Sequence, residues 1–107
     1  MKRYATSDRN ILDKYVGTDL WVNVRTWYRI TEEYLYWYAK FLDIRGPYYL
    51  VILIPEKDVD SGVLYNLDHM DHWATWTPRQ DIKLIEPIEV LTNEEIFELW
   101  VPHGGEE

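Results

Sequence analysis

The most constraining feature of this sequence is an unbroken apolar run at Tyr48–Ile54, which follows the turn residues Arg45-Gly46-Pro47 and ends at Pro55. A run of this length is far too short to cross a bilayer as a helix and is typical of a β-strand. A strand that is apolar on both faces lies centrally in a sheet, with other parts of the chain covering each side. The sequence therefore predicts a sheet protein built around Tyr48–Ile54.

Two further strands precede this run. From Leu20 to Trp27, apolar and other residues alternate with a period of two, which is the pattern of a half-buried strand. The aromatic-rich stretch Tyr34–Ile44 predicts a second strand, long and bent, that forms a hairpin with Tyr48–Ile54 through the Gly46-Pro47 turn. One side of the first strand carries aliphatic residues and Thr26, and the other carries Trp21, Asn23, Arg25 and Trp27.

Short helices are predicted near both ends of the chain. Thr6 or Ser7 can cap a first helix, whose apolar positions have helical spacing and which Gly17 terminates. Thr92-Asn93-Glu94-Glu95 matches a capping box and predicts a second short helix over the apolar residues that follow it.

The remaining segments give weaker patterns. Glu56–Gly62 is predicted to be a solvated loop and Val63–Tyr65 a short fourth strand. Asn66–Thr77 fits either a helix or an extended segment, and both alternatives stay open. Ile82–Leu91 is strand-like, and Pro87 within it indicates an edge strand or a bulge, because proline lacks the amide donor.

These elements predict a mainly β fold with short flanking helices. We expect a small, strongly curved antiparallel sheet or a partly open barrel of the SH3-like or OB-like kind, with four or five strands. The length of 107 residues and the 47% apolar content suit a single globular domain over residues 1–107, with 101–107 as a flexible tail.

Charge divides the chain into two halves. Residues 1–54 carry eight Lys/Arg and six Asp/Glu, whereas residues 55–107 carry three Lys/Arg and thirteen Asp/Glu, for a net charge of -8. This acidic balance disfavours nucleic acid as a partner, because affinity for a polyanion depends on neutralising its phosphates. The residues that we expect to form an acidic surface are Glu56, Asp58, Asp60, Asp81, Glu86, Glu89, Glu94, Glu95 and Glu98.

Several enzyme classes lack support in this sequence. There is no cysteine, hence no thiolate nucleophile and no disulfide, and neither Ser7 nor Ser61 lies in a nucleophile elbow. The five glycines are scattered, which excludes a glycine-rich phosphate loop. We therefore expect a non-enzymatic protein without a cofactor. The lack of an apolar leader or spanning segment predicts a cytoplasmic protein away from membranes, and its size and composition suit a bacterial or phage accessory protein.

One cluster could still hold a metal ion or centre a small-ligand or enzymatic site. Asp68, His69, Asp71 and His72 are close in sequence, and on a helix the two histidines would share a face. The spacing matches no established ligand pattern, and the alternative is a polar loop or helix surface.

The aromatic side of the two predicted strands indicates a binding surface. If the strands adjoin, rings and cations alternate across it, through Trp21, Arg25, Trp27, Tyr36, Tyr38 and Lys40. Such side chains dominate protein interfaces, so the favoured interpretation is a module that binds another protein or forms a homodimer. Stacking of single-stranded bases or sugars is a further alternative, as is an acidic mimic of nucleic acid. The opposing interpretation is that these rings form a second core layer.

Overall fold

The computed structural model describes residues 4–6, 9–61 and 73–100. Within these ranges the chain forms seven strands: β1 Tyr4–Thr6, β2 Leu20–Tyr28, β3 Glu33–Arg45, β4 Tyr48–Pro55, β5 Thr75–Pro78, β6 Ile82–Glu86 and β7 Val90–Thr92. The same described ranges contain three short α-helices, α1 Arg9–Asp13, α2 Glu56–Ser61 and α3 Asn93–Trp100, and a 3-10 turn over Arg79–Asp81.

The described strands form one antiparallel sheet in the order β1-β6-β2-β3-β4-β5. The short strands β6 and β7 pair with different parts of β2, at Val24–Thr26 and Leu20–Val22 respectively. This order is an open path whose ends, β1 and β5, do not pair with each other. The predicted mainly β, antiparallel class is therefore confirmed, the expected count of four or five strands is wrong, and the sheet is not a closed barrel.

The hairpin of β3 and β4 forms where the sequence predicts it. Gly46 turns the chain with φ +57, a left-handed conformation that glycine adopts without steric cost. The register shifts between Phe41 and Asp43, so Leu42 is accommodated as an irregularity in the pairing of β3 with β4. The predicted long strand is thus confirmed, since β3 spans 13 residues.

Both faces of the sheet are covered, as the apolar run on β4 requires. On one face a core of Val22, Val24, Phe41 and Val51 packs against Leu12 of α1. On the opposite face Trp21, Tyr38, Ile52 and Ile54 pack against Val59 of α2 and Ile96 of α3. The first half of β2 is therefore buried on both faces, and the prediction of a half-buried strand is wrong for that half.

The capping box at the start of α3 is confirmed. The amide of Glu95 donates to Thr92 Oγ1 at 3.1 Å, and the amide of Thr92 donates to Glu95 Oε1 at 2.9 Å. This reciprocal pair satisfies two backbone donors that the first helical turn leaves free. It fixes the point at which α3 begins and hence the position of Ile96, which is fully buried against the sheet.

Two predictions are corrected at the chain's acidic segments. The sequence predicts a loop at Glu56–Gly62, but Glu56–Ser61 forms the helix α2, because Val59 is buried against the sheet and stabilises the helical turn. The predicted strand Ile82–Leu91 is divided at Pro87, which follows a cis peptide bond, into β6 and β7. Of the segment left open, Thr75–Thr77 is extended in β5. Val63–Tyr65 and 101–107 lie outside the described residues.

Among the residues that the structure describes, no helix has the length and apolar character needed to cross a membrane.

Candidate interaction surface

The side chains on one face of β2 lie in three different environments along the strand. Trp21, Asn23, Arg25 and Trp27 alternate on this face and stand opposite Lys40, Tyr38, Tyr36 and Tyr34 of β3. The two predicted aromatic rows therefore do adjoin. Their exposure differs from end to end, because α2 and α3 cover only the end that holds Trp21.

Trp21 belongs to the core and is not an exposed anchor. Its side chain is only 2% exposed, and its indole Nε1–H donates to Asn93 Oδ1 at 2.6 Å. Lys40 lies over it, with Nζ 5.9 Å from the Trp21 ring centroid and 3.6 Å from Asp19 Oδ1. The expectation that Trp21 presents its ring to a partner is wrong, since the helices that follow β4 and β7 bury it.

Tyr38 and Asn23 form a buried polar layer next to Trp21. Asn23 is fully buried, and its Nδ2 donates to Trp37 O at 3.1 Å and to Glu56 Oε2 at 2.8 Å. Tyr38 is 8% exposed and its hydroxyl donates to Glu89 Oε1 at 3.3 Å. Burial, followed by the nearby carboxylates of Glu89 and Glu56, raises the pKa of Tyr38 to about 12. Tyr38 is thus also corrected from an exposed to a buried residue.

The far end of the same face remains open. Trp27 is 49% exposed and Tyr34 is 44% exposed. Their rings meet edge to face, with centroids 4.9 Å apart and planes at 66°. The guanidinium carbon of Arg25 lies 3.6 Å from the Tyr34 ring centroid, in a cation–π contact. Tyr36, also in the predicted set, is half-buried beside them.

These residues line a groove of about 260 Å³, which we call the aromatic groove. Its walls come from β1, β2, β3, β6 and the turn before β6, namely Ala5, Arg25, Trp27, Tyr34, Gln80, Asp81 and Lys83. Of the predicted binding residues it contains Arg25 and Trp27. Sequence reasoning missed Tyr34 and Lys83 as groove residues. Tyr34 could have been found, because side chains alternate along β3 and Tyr34 lies on the same face as Tyr36 and Tyr38. Lys83 could not, because no sequence signal shows that its strand β6 pairs with β2.

Two cations face each other in the groove. Arg25 on β2 is directly paired in register with Lys83 on β6. Within the described ranges neither side chain has an ion pair, and the buried Nε of Arg25 has no hydrogen-bond partner. Asp81 lines the groove too but makes no ion pair with either of them. The groove is therefore cationic on a protein whose net charge is -8.

A second, larger cavity of about 370 Å³ lies where β3 continues past the end of β4. It is lined by Tyr34, Leu35, Tyr36, Trp37, Pro55, Glu56 and Lys57. Two of its polar side chains already have structural partners, because Glu56 accepts from Asn23 and the Trp37 indole donates to Thr26.

The predicted acidic residues are spread over α2, the turn before β6, the end of β6, the turn between β6 and β7, and α3. Among its members Asp60, Asp81, Glu86, Glu89, Glu94 and Glu95 are exposed. Glu56 and Asp58 are partly buried, and the side chain of Glu98 lies outside the described residues. Several of these carboxylates also have structural partners: Glu56 accepts from Asn23, Glu89 from Tyr38 and Glu95 from Thr92.

The suggested metal ligands Asp68, His69, Asp71 and His72 lie outside the described residues, so that hypothesis stays a prediction. In the remainder of the chain that the structure does describe, no group of three or more potential ligands is placed to hold a metal ion.

A polar cluster that sequence reasoning did not find joins α1 to the sheet. Arg79 Nη2 donates to both oxygens of Asp13, at 2.9 and 2.7 Å, and the Tyr49 hydroxyl donates to Asp13 Oδ1. Burial and the bond to Asp13 raise the pKa of Tyr49 to about 12. The three residues are distant in sequence and match no motif. They hold together α1, β4 and the turn that leads into β6.

No protein-family model matches the chain, and neither a curated protein nor a solved structure matches it.

Proposed function

We propose that this protein is a small non-enzymatic interaction module that anchors a partner protein, or a second copy of itself, through the aromatic groove. The observation that carries the proposal is the exposure of Trp27 and Tyr34, 49% and 44%, beside Arg25 and Lys83, two cations that form no ion pair with any described residue. Trp, Tyr and Arg are the residues that most often dominate binding energy at protein interfaces.

The rigidity of the groove supports a binding role. Arg25 and Trp27 project from β2, which pairs with β3 at both residues and also with β6 at Arg25, and the rings of Trp27 and Tyr34 are in edge-to-face contact. The cation–π contact fixes the Arg25 side chain over Tyr34. Side chains that are already ordered lose little conformational entropy when a partner binds, which leaves more of the contact energy as affinity.

The exposed carboxylates have a second role in the proposal, which is to orient the partner. Asp60, Glu86, Glu89 and Glu94 are exposed on α2, at the end of β6, in the β6–β7 turn and on α3, and none of them lines the cationic groove. Such a separation of charge steers a partner of complementary charge and makes association sensitive to salt.

The test compares capture by the full chain and by two tryptophan variants. Trp27→Ala removes the groove anchor, whereas Trp76→Ala removes a tryptophan of similar exposure, 43%, on β5 at the other edge of the sheet. We expect a stoichiometric partner, or self-association seen by analytical ultracentrifugation, that is kept by wild type and Trp76→Ala and lost by Trp27→Ala. Equal binding by Trp27→Ala and wild type would contradict the proposal.

A further inference from the structure

We infer that the aromatic groove recognises a peptide segment of a partner protein in which a carboxylate side chain neighbours an apolar side chain. This inference rests on the proposed function and names the chemistry of the partner. It comes from the pairing of two cations with two exposed rings in one groove.

The first argument is the arrangement of the cations. Residues directly opposite on antiparallel strands have Cβ atoms roughly 4.5–5.5 Å apart, and like charges at such positions destabilise a sheet. Arg25 and Lys83 occupy such a pair in the register of β2 and β6. No carboxylate forms an ion pair with either one in the described part of the chain. A carboxylate placed between them would convert this repulsion into two attractive contacts.

The second argument is the donor that Arg25 leaves unused. Its Nε is buried, and no hydrogen-bond acceptor among the described residues reaches it. The Tyr34 ring holds the guanidinium in place at 3.6 Å. A buried donor without a partner costs free energy, and a carboxylate is the acceptor that a guanidinium binds most strongly, often through two parallel bonds. The groove thus presents an oriented site for one carboxylate.

The third argument is the size and lining of the groove. At about 260 Å³ it lies below the roughly 300–1,000 Å³ typical of small-molecule sites, so it suits one or two side chains of a peptide. The exposed faces of Trp27 and Tyr34 would cover an apolar side chain next to the carboxylate. The combination selects an acidic residue with an aromatic or aliphatic neighbour.

Charge favours a peptide over a nucleic acid as the occupant. A nucleic acid needs a row of cations to neutralise successive phosphates, and the groove offers two. Asp81 in the groove and the exposed Glu33 beside Tyr34 would repel the adjoining phosphates, as would the net charge of -8. A single carboxylate on a peptide brings one negative charge to the two cations, whereas a nucleic acid brings a further charge with every phosphate.

The test uses two peptides that differ only in charge: acetyl-Gly-Phe-Glu-Gly-amide and its counterpart with Gln in place of Glu. Each is titrated into the full chain while nuclear magnetic resonance follows the Arg25 Nε–H and the Trp27 indole N–H. We expect the Glu peptide to shift both signals and to bind about tenfold more tightly than the Gln peptide, as a charge-assisted hydrogen bond implies. This preference should vanish in Arg25→Gln/Lys83→Gln. It should persist in Arg45→Gln, which removes a cation stacked 5.1 Å from Trp76 at the far edge of the sheet.

The remaining outcomes overturn the inference. Equal affinity for the two peptides, lost in Trp27→Ala, would remove the carboxylate requirement and leave the proposed interaction module standing. If neither peptide shifts the two signals, the inference fails, and the proposed function is still judged by capture with Trp27→Ala. If oligothymidylate shifts them and the Glu peptide does not, the occupant is a nucleic acid and both proposals fail.

Discussion

Trp21 and Asn93, 72 positions apart in the chain, are joined by a hydrogen bond of 2.6 Å from the indole Nε1–H to the side-chain oxygen. Asn93 is the first residue of α3, so this bond fixes the C-terminal helix to the central strand β2. The same ring packs in the core beside Ile52, Ile96 and Val59. Trp21 therefore stabilises the fold, whereas Trp27, on the same side of β2, is exposed and is the anchor of the interaction that we propose.

Replacing the two tryptophans should separate these roles. Trp21→Ala removes a buried ring and its hydrogen bond to Asn93, so we expect the free energy of unfolding to fall by about 3–5 kcal/mol. Trp27→Ala removes a half-exposed ring, and its cost should stay below about 1 kcal/mol. Urea unfolding followed by circular dichroism measures both. Similar losses for the two variants would contradict the division of β2 into a covered and an open end.

The ion pair of Asp13 and Arg79 should contribute measurably to stability. Both groups are largely shielded from water, with side chains 34% and 19% exposed. We expect Arg79→Met to lower the free energy of unfolding by about 1–3 kcal/mol, because Asp13 loses two charge-assisted hydrogen bonds. Asp13→Asn completes a double-mutant cycle that isolates the pair. The matched control is Arg45→Met at an exposed arginine, for which a loss as large as that of Arg79→Met would argue against the ion pair.

Stability should decline in alkali because of Tyr38 and Tyr49. Their pKa values are raised from 10.0 to about 12 in the folded protein, so between these values the folded state binds more protons than the unfolded state. Their stabilising effect is therefore complete below about pH 10 and is lost as the pH rises towards about 12. Urea unfolding across this range should show a smaller decline for Tyr38→Phe and Tyr49→Phe than for wild type. An unchanged slope in both variants would contradict the raised pKa values.

Removing one groove cation should stabilise the free protein. Since Arg25 and Lys83 repel each other across β2 and β6, we expect Lys83→Gln to raise the free energy of unfolding by about 0.2–1 kcal/mol at low salt. The gain should shrink at high salt, because ions screen exposed charges. Lys14→Gln, at an exposed lysine that follows α1, is the comparison for the general effect of removing a lysine from the surface. A loss of stability in Lys83→Gln would show that Lys83 is already neutralised in the free protein.

Local sequence patterns predict much of this fold because they depend on neighbouring residues. The β3–β4 hairpin follows from Gly46 and the apolar run, and the start of α3 follows from the capping box of Thr92 and Glu95. The helix α2 was missed because its stability depends on Val59 packing against residues elsewhere in the sheet. The division of β6 from β7 likewise depends on both strands finding places along β2.

For the candidate site, too, local sequence patterns predict only part of the arrangement. Side chains alternate along β2, so Trp21 and Trp27 lie on the same face, and the sequence alone determines this. Six residues of strand place the two tryptophans about 20 Å apart, and this distance exceeds the width of a helix. A helix that covers one of them therefore need not cover the other. Only the tertiary structure decides that α2 and α3 dock over Trp21 and leave Trp27 open, and that Lys83 comes opposite Arg25. These are contacts between distant parts of the chain, and their energies depend on the packed assembly rather than on any local pattern.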